Sequence, residues 1–260
     1  MKTTKKTNSP RKMICQRPNA MTAKPMHYCP GCGHSFAHKA LAQVLDNLGI
    51  RERTIGVAPV GCAVFAYFYF KCDISEAAHG RAAAVATGIK RALPDRIVFS
   101  YQGDGDLAAI GLTETVHAAN RGENITVIFI NNTVYGMTGG QMAPTTMTGQ
   151  TTATSPCGRK PETMGYPLRM CELLNTLEAP YYIERVAVDG VRGVQRMQQA
   201  LTTAFTAQIE GKGYSFVEIL SPCPTYFRRS AADSLRFVGE QMSTVFPVRV
   251  FRKEGVVQNA

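Results

Sequence analysis

Apolar positions along this chain recur with two alternating periods. Ala37, Leu41, Val44, Leu45 and Leu48 fall at helical spacing, with Ser35 placed to cap the helix and Gly49 to stop it. Thr54–Val60 reads as a strand ending in a Pro-Val-Gly-Cys turn. Arg81–Leu93 reads as a small-residue helix stopped by Pro94, Arg96–Tyr101 as a short strand and Leu107–Arg121 as a helix. Ile125–Ile130 is continuously apolar, the mark of a strand buried on both faces. The polar stretch from Asn131 to Pro161 is too long for an idle connection, which points to a functional loop. Leu168–Leu177 then reads as a helix, Tyr181–Val188 as a strand, Val191–Ile209 as a helix and Ser215–Leu220 as a strand; after Cys223 the pattern is irregular. This alternation predicts an α/β fold, a parallel sheet with helices on both faces. Such sheets bind ligands beyond the carboxyl ends of their strands. Four unusual turns follow strands, Val60–Ala63, Gly103–Asp106, Asn131–Gly140 and Ser221–Pro224, and are expected to converge on that edge.

Composition narrows the class. With 45% hydrophobic residues the chain of 260 is not a disordered one. Its longest apolar run, Ala63–Phe70, is far short of the ~20 residues of a membrane span. The basic N-terminus is followed by no apolar segment, so a secretory signal is not expected and a cytoplasmic, membrane-free protein is. The net charge is +10, and seven of those charges lie in residues 1–26, which contain no acid. The expected layout is a basic flexible tail over 1–26, one domain over 27–227 and a C-terminal extension over 228–260. A basic tail can bind nucleic acid or an acidic partner, but it can equally be a solvated terminus; the expectation here is no nucleic acid.

Gly103-Asp104-Gly105-Asp106 sits between a strand and a helix. Glycines permit a tight turn and close approach of a phosphate, and the following helix end offers free N–H groups to an anion. A carboxylate beside a diphosphate implies a bridging divalent cation, and Mg²⁺ suits such oxygen ligands. Asn131-Asn132 ends the next buried strand. Consecutive parallel strands are often neighbours, so the Asn132 amide oxygen can join Asp104, with the Val134 carbonyl as a third ligand.

These residues resemble the thiamine-diphosphate motif, in which the first Asp, the second Asn and a carbonyl two residues on bind Mg²⁺. The resemblance assigns Asp104, Asn132 and Val134 to that ion. The continuation Tyr135-Gly136-Met137-Thr138-Gly139-Gly140-Gln141 is similar to the β subunits of 2-oxoacid:ferredoxin oxidoreductases. Cofactor contacts are then expected from Val60, Gly61, Cys62 and Ala63, from Gly103, Gly105 and Asp106, and from Gly136, Met137 and Thr138. The likeness also places His79, in Glu-Ala-Ala-His-Gly-Arg, against the cofactor diphosphate, although a lone histidine is more often structural.

The chain holds eight cysteines, and in a cytoplasmic protein these favour metal or cluster ligation over disulfides. Cys29-Pro30-Gly31-Cys32 is a C-x₂-C turn whose spacing alone allows zinc, an iron–sulfur cluster or a redox disulfide. No second close pair completes a zinc ribbon. The family resemblance implies one [4Fe–4S] cluster on Cys29, Cys32, Cys62 and Cys223. It leaves Cys15, Cys72, Cys157 and Cys171 as small apolar residues without a role. The aromatic run after Cys62 is expected in the core, where it can also shield a cluster, and Arg228-Arg229 is a weak candidate contact for an acidic carrier.

The resemblance covers about residues 27–227. It implies coenzyme A-dependent oxidative decarboxylation of a 2-oxoacid with electrons passed to ferredoxin. The segments around Cys62, His79 and Gln141–Thr146 look most like the branched-chain, 2-oxoisovalerate members; 2-oxoglutarate or pyruvate are the alternatives. No activating Glu is recognisable, so no catalytic residue is assigned. An α-type subunit is expected to complete the thiamine-diphosphate site, with a ferredoxin-like cluster subunit as a further partner. Two other readings compete. A non-redox thiamine-diphosphate decarboxylase leaves the four cysteines unexplained, and a zinc-stabilised nucleic-acid-binding protein leaves the Gly-Asp-Gly…Asn-Asn spacing unexplained.

Overall fold

A computed structural model describes residues 16–258. Its elements run α1 (Gly33–Asn47), β1 (Thr54–Pro59), β2 (Asp73–Ala77), α2 (Ala82–Ala92), β3 (Ile97–Gly103), α3 (Leu112–Asn120) and β4 (Thr126–Asn131). Two short strands follow, β5 (Val134–Tyr135) and β6 (Gln141–Met142), then α4 (Pro161–Met164), α5 (Met170–Leu174), β7 (Tyr182–Ala187), α6 (Val191–Ile209) and β8 (Ser215–Leu220). The chain closes with α7 (Pro224–Phe227), α8 (Ala231–Phe237), α9 (Ser243–Val245), β9 (Val250–Lys253) and β10 (Val256–Val257). The main sheet has the order β10-β9-β7-β8-β4-β3-β1-β2. From β7 to β2 all pairs are parallel; β9 and β10 add antiparallel strands at one edge.

The two-residue period of the central strands divides the core between two faces. Phe99, Tyr101, Ile128, Ile130, Val217 and Ile219 meet Leu41 and Leu45 of α1 and Leu201 and Phe205 of α6. Their neighbours Val98, Val127, Phe129 and Phe216 meet the alanines of α2 and α3 and Met170 and Leu174 of α5. Both faces are therefore covered, as the sequence predicts. Among the described residues no helix is long and apolar enough to cross a membrane.

Several expectations need correction. The sheet is mixed at one edge, because the helices between β8 and β9 pack at the carboxyl ends of β7 and β8, Ala187 and Leu220, and β9 starts back from that end antiparallel to β7. The segment after Cys223 is not irregular: Phe237, Val238, Met242 and Phe246 pack with Ala187 and Leu220, and β9 joins β7. The polar strand β2 carries no apolar run, and it is legible only as the edge partner of β1. The helix predicted over 107–121 is two pieces, a π-helical turn at Asp106–Ile110 and then α3, parted at Gly111. Part of the stretch read as tail is packed: Ala20 is fully buried, its amide donates to Asp46 Oδ2, and Met21 bridges Phe70. The expected boundary at residue 27 thus falls inside packed chain. Residues 1–15, with most of the basic run and Cys15, lie outside the described residues.

Candidate functional site

The parallel register brings the four strand-end turns together. Gly103 pairs with Ile130 and Asn131 with Leu220, so the residues leaving β3, β4 and β8 emerge side by side, with β1 next to β3. A cleft opens at this edge. Its lining includes Val60–Ala63 after β1, Gly103–Asp106 after β3, Asn132, Val134 and Gly136–Thr138 after β4, and His79. Every expected cofactor contact and all three expected Mg²⁺ ligands therefore line one cleft. Cys62 lines it as well; Cys29, Cys32 and Cys223 do not.

Asp104 is buried at the cleft floor. Its Oδ1 accepts from the Gly105 amide at 2.9 Å and its Oδ2 from Thr145 Oγ1 at 2.6 Å. Burial holds the carboxyl up to about 7, against the pull of those donors. A nearby cation would offset that desolvation, so the group fits a metal ligand. Asn132 Oδ1 accepts from the Val134 amide at 3.3 Å, closing a turn whose middle residue, Thr133, has φ 63°. A non-glycine residue in this region is uncommon, and such outliers gather where surrounding contacts over-determine them. Here Thr146 Oγ1 donates to the Thr133 carbonyl and Gln150 Nε2 to Thr133 Oγ1. Around Gly103 an added Cβ would meet nothing within 4 Å, which leaves room for a ligand. Gly105 is different: a Cβ there would lie 2.4 Å from the Tyr135 ring, so its glycine serves packing.

Asp106 also lines the cleft, but its oxygens are engaged within the protein. They accept from His79 Nδ1 and the Gly80 amide, both at 2.6 Å, and from Gln102 Nε2 at 2.7 Å. Because a carboxylate only accepts, Nδ1 of His79 carries the proton, and Nε2 is the free nitrogen of the ring.

The cysteines gather beside this cleft and reach it through Cys62. The Cys32 amide donates to the Cys29 carbonyl at 3.0 Å, closing the C-x₂-C turn, and Cys32 caps α1. Gly31 has φ 81°, and a Cβ there would lie 2.5 Å from Ala231, so this turn requires glycine twice over. The Gly33 amide donates to the Pro222 carbonyl at 3.1 Å, which ties the turn to the loop carrying Cys223. A Cβ on Gly136 would come 3.2 Å from Cys62 Sγ, 3.8 Å from Asn132 Nδ2 and 3.9 Å from Cys223 Sγ. Gly136 thus stands between the sulfur and oxygen parts of the site. Burial pushes the thiols of Cys32 and Cys223 up to about 12 and that of Cys62 to about 11, and the four cysteines act on one another electrostatically. Mutually repelling buried thiolates are unfavourable alone and favourable around a cationic iron centre, so the donor set fits a cluster. Among the described residues, no three His, Cys, Asp or Glu side chains are drawn in around a single-ion position.

Sequence reasoning missed the neighbours of Cys32. His34 lines the cleft, its ring stacks on Tyr28 at 4.7 Å, and its Nδ1 meets Tyr101 Oη at 2.9 Å. Its amide donates toward the Cys32 sulfur. His38 meets Tyr28 Oη at 3.0 Å and packs on Tyr69, Phe70 and Tyr101. The four-residue spacing of His34 and His38 just after the cysteine pair was the available signal. Thr145, which orients Asp104, carried none. Of the unassigned cysteines, Cys171 is buried, Cys72 half-buried and Cys157 exposed. In the aromatic run, Tyr69 and Phe70 are core while Tyr67 and Phe68 remain partly exposed.

Comparison with known proteins gives this geometry its class. Residues 61–219 match the thiamine pyrophosphate enzyme C-terminal TPP-binding domain. The ketoisovalerate oxidoreductase subunit VorA of Methanothermobacter thermautotrophicus is 54% identical over 239 residues, covering 92% of this chain and 50% of the relative. The 2-oxoglutarate synthase subunit KorB of Methanocaldococcus jannaschii is 36% identical over 222 residues, covering 83% of this chain and 78% of the relative. The 2-oxoglutarate:ferredoxin oxidoreductase from Magnetococcus marinus, solved with 2-oxoglutarate, coenzyme A and succinyl-CoA bound, shares the fold. Its TM-score is 0.73 at 24% identity, covering 96% of this chain and 87% of that one. The chain belongs to the thiamine-pyrophosphate-binding enzymes, among the 2-oxoacid:ferredoxin oxidoreductase subunits. It spans about half the length of the ketoisovalerate oxidoreductase subunits it matches.

Proposed function

We propose that this chain is the thiamine-diphosphate- and cluster-binding subunit of a 2-oxoacid:ferredoxin oxidoreductase that acts on 2-oxoisovalerate with coenzyme A. The observation that carries the reading is the adjacency at Gly136, where an added Cβ would touch Cys62 Sγ and lie within 4 Å of both Asn132 and Cys223. The residues that suit a metal–diphosphate site and those that suit an electron carrier share one wall. A non-redox thiamine enzyme has no use for that neighbourhood. The identity of 54% to ketoisovalerate oxidoreductase subunits, against 36% to a 2-oxoglutarate synthase subunit, supports the branched-chain substrate.

In this reading Asp104, Asn132 and the Val134 carbonyl hold Mg²⁺, and Cys29, Cys32, Cys62 and Cys223 hold a [4Fe–4S] cluster. When bound, thiamine diphosphate supplies the nucleophilic carbon and electron sink for decarboxylation, and the cluster carries single electrons away. The chain's own part is placement. Thr145 and the Gly105 amide fix the Asp104 carboxylate. Asp106 orients the His79 ring, which lines the cleft, by accepting from its Nδ1. The Tyr28–His34 stack lies beside the buried Cys32, while Cys29 stays exposed. Val60 and Met137, at the cleft and half-exposed, are apolar surface for the α-type subunit that completes the site. Ferredoxin and a ferredoxin-like subunit are the further partners.

The test is anaerobic purification with co-expressed partner subunits, followed by iron analysis and a substrate screen. About four irons per chain and ferredoxin reduction fastest with 2-oxoisovalerate are expected. Preference for 2-oxoglutarate or pyruvate would reassign the substrate. An iron-free protein that binds thiamine diphosphate would sink the redox half.

A further inference from the structure

Arg159 ties several turns of the loop from Asn131 to Pro161 to one another and to the segment that follows. Arg159 is buried, and among the described residues its guanidinium meets no carboxylate. Its Nε donates to the Gly165 carbonyl at 2.8 Å. Nη1 donates to the carbonyls of Pro144 and Thr146 at 2.8 and 2.6 Å, and more distantly to that of Ala143 at 3.4 Å. Nη2 donates to those of Tyr166 and Met164 at 2.8 and 3.2 Å. A guanidinium offers five donors in a rigid plane, so the strands of loop it bonds are fixed relative to one another. Two of the bonded carbonyls, Pro144 and Thr146, flank Thr145, whose hydroxyl donates to Asp104 Oδ2 at 2.6 Å. Thr146 in turn bonds the carbonyl of Thr133, the left-handed residue between Asn132 and Val134.

We propose that Arg159 is a positioning residue for the metal–diphosphate site, acting through Thr145 on Asp104 and through Thr146 on the Asn132–Val134 turn. The proposal rests on the assignment of Asp104, Asn132 and Val134 to Mg²⁺. The same chain contains its own control. Arg252 is a second buried guanidinium on backbone carbonyls, those of Asn175, Glu178 and Pro180. Pro180 precedes β7, so Arg252 sits at the opposite end of the parallel strands from the cleft.

The test is calorimetric titration of thiamine diphosphate in Mg²⁺ into the protein purified with its partner subunits, with Tm measured alongside. Arg159→Lys keeps the charge but cannot span the carbonyls, and its Kd is expected to rise about tenfold or more. Arg252→Lys is expected to lower Tm at least as much and leave Kd within about twofold. Thr145→Val should raise Kd comparably and Thr145→Ser should restore it. In combination with Thr145→Val, Arg159→Lys should add less than its single effect, because the two share a path. Wild-type affinity in Arg159→Lys, fully multiplicative effects in the double variant, or loss of the fold in Arg159→Lys alone would each overturn the positioning role. Wild-type affinity in Asp104→Asn would instead overturn the Mg²⁺ assignment, and this proposal with it.

Discussion

The oxygen half and the sulfur half of the cleft are prepared differently. On the oxygen side, both oxygens of Asp104 and the amide oxygen of Asn132 already accept protein hydrogen bonds, and the Thr133 turn is braced by Thr146 and Gln150. On the sulfur side, the turns are tied to each other through backbone bonds, such as Gly33 to Pro222, while Cys32 and Cys223 are buried, Cys62 is half-buried, and desolvation holds all three thiols well above their ordinary range. Hydrogen bonds can hold an oxygen site in shape before its ion arrives. Buried thiols gain little from weak sulfur hydrogen bonds, so their arrangement depends on what they bind. Losing a ligand on the oxygen side should weaken affinity and spare the fold, whereas losing one on the sulfur side should lose the bound group outright.

Cys223→Ser tests the sulfur half most severely. The anaerobic variant should hold far fewer than four irons per chain and lose the broad visible absorption, while Cys157→Ser, at an exposed position away from the cleft, should keep both. Equal iron in the two variants would remove Cys223 from the ligand set. On the oxygen half, Asp104→Ala should lower thiamine-diphosphate affinity about a hundredfold or more, with iron content unchanged. Affinity within a few-fold of wild type would contradict the metal role. Gly136→Ala addresses the wall between the halves. Its Cβ would lie 3.2 Å from Cys62 Sγ, tight enough to displace the sulfur by a few tenths of an ångström. A shifted EPR signal or midpoint potential is expected, with a few-fold change in cofactor affinity. An unaltered spectrum would show that Cys62 does not face Gly136 in the loaded protein.

The sequence made one half of this comparison easier to read than the other. Asp104 and Asn132 follow apolar strands, and parallel neighbours place such residues together; the pairing of Gly103 with Ile130 does so here. Cys29 and Cys32 form a close pair, and the turns carrying Cys62 and Cys223 were expected at one strand edge, but that all four join one ligand set was legible only through family likeness. Side chains that act on other side chains left no pattern at all. Thr145 and Arg159 lie in a polar loop with no periodicity, and their role depends on a fold of that loop which no local propensity encodes. The same limit explains β2 and β10: edge strands need few apolar residues, so the two-residue period that revealed the central strands is absent from them.

The smallest effect distinguishes the oxygen half by its proton. Burial raises the Asp104 carboxyl from its ordinary 3.8 to about 7 in the protein without metal. Between those values the folded state binds more protons than the unfolded one. The contribution of this group to stability is therefore fully present below about 3.8 and lost as pH rises through about 7. His34 and His38, kept neutral by burial, act in the opposite sense: they favour the fold at neutral pH and oppose it as pH falls below the ordinary histidine value of 6.5. The two trends overlap, so the raw pH profile of the wild type cannot separate them. Asp104→Asn keeps the histidines and removes the carboxyl. In chelator, the stability of wild type minus that of Asp104→Asn, read from urea midpoints, should fall between pH 5 and pH 8. With Mg²⁺ and thiamine diphosphate that fall should disappear, because ligation keeps the carboxylate ionised across this range. A difference that stays flat in chelator would mean that the donors from Thr145 and Gly105 alone keep Asp104 ionised, and that the oxygen half needs no cation to balance its charge.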